Sequence, residues 1–159
     1  MGLDMYLYAE KYESRVRKSE EEWKKEKDTF YPPELKKIAE KLDKYNLSKT
    51  TVYQVAYWRK ENAIHKWIVD NCADGVDECQ RIYMRKENIE MLISLCSQVL
   101  LDHSRAEELL PTSDGFFFGG TEYDEYYFWG LEDTVKMLDP ILELMKENPE
   151  YDVFYQASW

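Results

Sequence analysis

The run 50–57, Thr50-Thr51-Val52-Tyr53-Gln54-Val55-Ala56-Tyr57, leads straight into 58–69, Trp58-Arg59-Lys60-Glu61-Asn62-Ala63-Ile64-His65-Lys66-Trp67-Ile68-Val69. That junction decides the fold class. β-branched and aromatic residues crowd the first half and suit a pleated, half-buried surface, so a strand is predicted over 49–57. In the second half the apolar period changes, with Ala63, Ile64, Trp67 and Ile68 recurring at helical spacing. The helix they predict ends between 71 and 75, where Asn71 and Gly75 supply stop signals.

Working outward, 3–8 alternates and is rich in Tyr and Leu, which reads as a strand. A short strand is predicted at 80–84. A last one is predicted at 151–159, where Val153, Tyr155 and Ala157 alternate with Phe154, Gln156 and Ser158. The clearest helix is 86–102, with Ile89, Leu92, Ile93, Cys96, Val99 and Leu100 as its stripe, and 105–110 continues polar and helical. Pro33 is placed for the first turn of a helix reaching about residue 45, with Leu35, Ile38, Ala39 and Leu42 on one face. A further helix is predicted over 123–147, capped by Thr121 with Asp124 completing an imperfect box, and kinked or split by Pro140. Between them 111–120, PTSDGFFFGG, reads as a hairpin or a glycine-hinged loop. Residues 10–31 are dense in Lys, Arg and Glu and read as either a charged helix or a mobile arm. The sum is three to five short strands and about four helices that do not alternate regularly. This predicts a single α+β domain over 1–159, with a small mixed or antiparallel sheet and helices packed on one face. The strands at the two ends are expected to pair.

With 159 residues the chain is long enough to bury roughly 70% of its unfolded surface. Its net charge of −11 disfavours a nucleic-acid or anionic-membrane partner, because both demand a basic surface. No stretch approaches the length needed to cross a bilayer. The N-terminus, with acidic Asp4 and no apolar run, does not read as a signal peptide. Cys72, Cys79 and Cys96 are odd in number and form no CxxC pair, so a reducing, cytoplasmic setting is the economical expectation. Aromatic residues reach 15% of the chain, 13 of them Tyr, more than an ordinary core calls for.

Chemistry gathers at the same junction. Counted at helical period from Trp58, residues Trp58, Asn62 and His65 share a face, and Arg59 and Lys60 add cations near a helix N-terminus. A planar anionic ligand is therefore predicted to stack on Trp58, to be read by Asn62 and His65, and to be neutralised by Arg59 and Lys60. The competing reading makes the two cations solvated surface charges and His65 a structural histidine. In 119–129, Glu122 or Asp124 is a candidate to accept from a ribose or to pair with Arg59, and Tyr123 offers a hydroxyl to the ligand, although acidic residues there are also explained by the helix dipole. No GxSxG, P-loop, HExxH or GxGxxG pattern occurs, so no catalytic residue, cofactor or metal is expected.

The stretches MGLDMYL (1–7), YWRKENAIHKWIVDN (57–71), ELLPTSDGFFFGGTEYDEYYF (108–128) and YQASW (155–159) resemble a group of small phage and prophage proteins. The resemblance covers most of the chain outside the charged region 10–49 and transfers no chemistry residue by residue. It implies a protein made inside a bacterial host cell and set against host immunity. The leading expectation is a ligand-binding protein that sequesters a nucleotide-derived host signal. The alternatives are an acidic inhibitor of a host defence enzyme and a small hydrolase of a phosphorylated substrate with His65 as acid or base. A homo-oligomer is left open, since a dimer interface would also serve to enclose a ligand.

Overall fold

A computed structural model describes residues 2–159. The chain divides into two compact units, one holding the residues up to Ala9 with Tyr53–Trp159, the other Glu10–Val52. The architecture is α+β. Strands β1 (Asp4–Ser14), β2 (Ser48–Arg59), β3 (Ile82–Met84) and β4 (Tyr151–Ser158) form one antiparallel sheet in the order β2-β1-β4-β3. The two terminal strands are neighbours, as their sequences suggested.

In the larger unit the sheet buries one face. Met5, Leu7 and Ala9 of β1, Ala56 and Trp58 of β2, Ile82 and Met84 of β3, and Val153, Tyr155 and Ala157 of β4 are all buried. These are alternate residues, as the period of two requires. β3 and β4 fix the register by pairing Ile82 with Tyr155 and Met84 with Val153. The opposite face carries a ladder of rings: Tyr6 lies 5.4 Å from Tyr57, and Tyr83 lies 5.5 Å from Phe154. Helices α3 (Asn62–Cys72), α4 (Lys86–Leu101) and α6 (Glu125–Glu147) complete the core with Ile64 and Ile68, with Ile89, Leu92, Cys96 and Val99, and with Leu131, Leu138 and Ile141. Each fully buried aliphatic side chain contributes about 1.5–3 kcal/mol, so these helical stripes hold the sheet's apolar face. α5 (Ala106–Leu109) is a single short turn.

In the smaller unit α1 (Glu20–Glu26) begins with a reciprocal capping box. The Ser19 hydroxyl accepts from the Glu22 backbone N–H at 3.2 Å, and the Ser19 N–H donates to the Glu22 carboxylate at 2.7 Å. Its Trp23 packs edge-on to buried Phe30 at 5.3 Å. Lys18 bridges Glu13 at 3.2 Å and Glu26 at 2.6 Å around the same ring. Residues 10–31 are therefore neither one charged helix nor an arm without structure: they hold the end of β1, a 3-10 turn (Arg15–Arg17) and α1.

Three other expectations are corrected. The helix predicted from Pro33 to about residue 45 is a 3-10 turn (Pro33–Leu35) followed by the single-turn α2 (Lys36–Ala39). Its apolar stripe finds nothing to cover, and Leu35, Ile38 and Leu42 stay exposed. The cap of α6 is Asp124, whose carboxylate accepts from the Tyr127 N–H at 3.1 Å, and Thr121 lies outside the helix. Pro140 does not split α6, which runs unbroken through it.

Candidate functional site

Strand β2 continues to Arg59, two residues beyond its predicted end, and α3 begins at Asn62. Alternation along the strand therefore sends Trp58 inward and Arg59 outward. Lys60 turns the chain in the left-handed region, at φ +62, and its backbone N–H donates to the Leu3 carbonyl at 2.8 Å.

This geometry removes three expected ligand contacts. Trp58 does not share a helical face with Asn62 and His65. It lies in the core at 3% exposure, with its indole N–H donating to the Thr134 hydroxyl at 2.9 Å, so no ligand can stack on it. Thr134 in turn donates to the Gly130 carbonyl at 2.7 Å. Asn62 is buried and fully engaged: its amide donates to the carbonyls of Phe118 at 3.2 Å and Gly120 at 2.9 Å, and its oxygen accepts from the Ser113 N–H at 3.0 Å. It fastens the 113–120 loop and does not read a ligand. His65 is 2% exposed, with Nδ1 2.7 Å from the Tyr155 hydroxyl and Nε2 2.8 Å from the Asp77 carboxylate. Asp77 also accepts from the Trp159 indole at 3.2 Å. Nδ1 braces α3 against β4 and Nε2 holds the loop that carries Asp77, so both ring nitrogens are committed and His65 cannot meet a substrate as acid or base. Tyr123 is a support as well: its hydroxyl accepts from the Thr112 N–H at 3.3 Å, and its ring packs edge-on to Tyr127 at 5.0 Å.

The remaining candidates line a cleft. Arg59, Lys60 and Glu122 border a cavity of about 430 Å³, whose lining also takes in Asn62, Glu61, Asp124, Trp129, Gly130 and Asp133. Two glycines shape it. At Gly119 (φ +97) an added Cβ would stand 3.0 Å from the Lys60 Cβ and 3.2 Å from its carbonyl oxygen, so only glycine lets the loop come this close to Lys60. At Gly130 an added Cβ would run into the Glu61 carboxylate. Lys60 thus lies by the glycine loop and Glu61 against α6. Tyr126 and Trp129 are exposed and pack edge-on to one another at 5.4 Å.

Glu61 is the group sequence reasoning passed over. Burial, and secondarily the negative charge of Asp133, push its carboxyl up to about 7. It therefore exchanges its proton near neutrality, unlike an ordinary surface glutamate. Two signals for it existed: its place between the strand's last cation and the helix, and an otherwise unexplained glycine inside a helical pattern at 130. The Cys72 and Cys96 thiols are poor nucleophiles, since burial pushes Cys72 up to about 11 and Cys96 up to about 12. Among the described residues, no group of three or more His, Cys, Asp or Glu side chains is placed to hold a metal ion. No helix among them is long and apolar enough to cross a membrane.

No family model, curated protein or solved structure matches the chain. The resemblance to phage and prophage proteins therefore stands as a sequence expectation, and function has to be argued from the cleft.

Proposed function

We propose that the protein binds a nucleotide-like small molecule in the cleft at the β2–α3 junction and holds it without turnover. One observation carries the reading: a cavity of about 430 Å³ combines Arg59 and Lys60 with an exposed tryptophan and four carboxylates, of which Glu61 is partly buried. That volume falls within the roughly 300–1,000 Å³ of small-molecule sites. Arg59 and Lys60 suit a phosphate, since charge-assisted hydrogen bonds to an anion contribute about 1.5–3 kcal/mol each. Trp129 replaces Trp58 as the stacking surface, worth roughly 1–3 kcal/mol for a base. Retention without chemistry is supported by the engaged His65 and by the protonated thiols of Cys72 and Cys96. Joined to the phage and prophage resemblance, the reading becomes sequestration of a nucleotide-derived signal made by a bacterial host.

Calorimetry with a nucleoside monophosphate tests it. Arg59→Ala and Lys60→Ala should each weaken binding by about tenfold or more, the loss of one charge-assisted contact. Mass spectrometry should recover the ligand unaltered. Unchanged affinity in both variants would discard the phosphate assignment, and an altered ligand would establish an enzyme.

A second reading, an acidic inhibitor of a host defence enzyme, is supported by a different feature. Phe116 and Phe117 are exposed on the loop that Asn62 fastens, in a chain of net charge −11. Loss of partner capture on Phe116→Ala, with nucleotide binding absent, would favour it.

A further inference from the structure

Gly130 lies inside α6, where a glycine forgoes helix propensity. The reason is local: any side chain at 130 would collide with the Glu61 carboxylate. The fold therefore keeps room for a carboxylate between the start of α3 and α6. Among the described residues no hydrogen-bond donor is bonded to that carboxylate, and Asp133, a second acid whose charge acts on it, lines the same cavity. Tyr127 of the same helix and Cys96 of α4 also sense its charge. A half-buried carboxylate set beside another acid lacks its complement, and the natural complement is a pair of N–H donors that engages both oxygens at once.

Among the common bases, guanine presents such a pair on its pairing edge, N1–H beside the N2 amino group. Adenine and cytosine present one amino donor beside an acceptor, and uracil one N–H between two carbonyls. Trp129, the residue before Gly130, supplies a ring face on the same helix. Lys60 lies at the loop side, by Gly119, where a phosphate would be held. Resting on the nucleotide reading above, we infer that the cleft selects guanine nucleotides, with the Glu61 carboxylate accepting N1–H and N2–H while the base stacks on Trp129.

Calorimetry on the full chain with guanosine, inosine and adenosine monophosphates tests the inference. Guanosine monophosphate should bind about tenfold or more tighter than adenosine monophosphate, because a site built for donors penalises a base that lacks them. Inosine monophosphate, which keeps N1–H but lacks the amino group, should fall between. Glu61→Gln, whose amide offers one acceptor beside one donor, should abolish the preference by weakening the guanosine nucleotide relative to the adenosine nucleotide. Gly130→Ala moves the same carboxylate aside without altering its charge, and should also abolish the preference while the helix keeps its thermal stability. Equal binding of the three ligands, or a preference that survives both substitutions, would overturn the guanine assignment and leave the nucleotide reading standing. Absence of binding by all three would overturn both.

Discussion

At the residue scale, Glu61 ties stability to pH. Its proton leaves near 4.5 in an unfolded chain and near 7 in the folded one. Between those values the folded state binds more protons, so stability falls as pH rises through that window. Glu61→Gln removes the penalty of an ionised carboxylate. The variant should match the parent near pH 4 and exceed it near pH 8 by on the order of 1–2 kcal/mol, a figure reduced because the cleft is open to solvent. Urea titrations at both pH values check this, and an offset independent of pH would contradict it. Trp58 shows why residue roles were harder to read than their neighbourhood. A helical period counted from Trp58 put it beside Asn62 and His65. The strand in fact extends two residues further, to Arg59, so strand alternation and not a helical period sets the directions of 58 and 59. Arg59, Lys60 and Glu122 border the cleft because their charge keeps them at the surface. Asn62, at the cleft wall, and His65, in the core, are buried with every side-chain polar atom partnered, which a sequence alone does not display.

Elements set the cleft's walls. The 111–121 segment has no helix or strand, yet three hydrogen bonds to the buried Asn62 side chain tie both its ends to α3. Asn62→Ala would leave two carbonyls and an N–H to find water. It should destabilise the larger unit by about 2–3 kcal/mol and raise amide hydrogen exchange across 113–120. If exchange there did not change, the loop would owe its position to something other than Asn62. Strong periodicity made α4 legible nearly to the residue, because a complete apolar stripe must be buried. The helix from Pro33 failed on the same logic: its stripe exists, but no apolar surface covers it, so it shrinks to a 3-10 turn and one α-turn. The extension of β1 to Ser14 was hidden by Glu10, Lys11 and Glu13, since a ribbon satisfied by strand pairing needs no continuous apolar face.

On the scale of the whole molecule, the sheet order β2-β1-β4-β3 places the first and last strands side by side at its centre. The class, α+β with one buried sheet face, followed from the switch of period at 57–63 and from strands at both ends of the chain. The division into two units did not show, because no Pro-, Gly- or Ser-rich linker marks it and β1 and β2 carry the chain from one unit to the other. A net charge of −11 repels nucleotides at long range, so the account needs its attraction concentrated within a few ångströms of Lys60 and Arg59. The most direct measurement is therefore a residue-resolved one: backbone amide shifts followed by NMR during titration with guanosine monophosphate. The account predicts perturbations centred on 59–63, 119–120 and 129–133, with the ring ladder of Tyr6, Tyr57 and Tyr83 undisturbed. Shifts confined to that ladder, or none at Glu61 and Gly130, would contradict it.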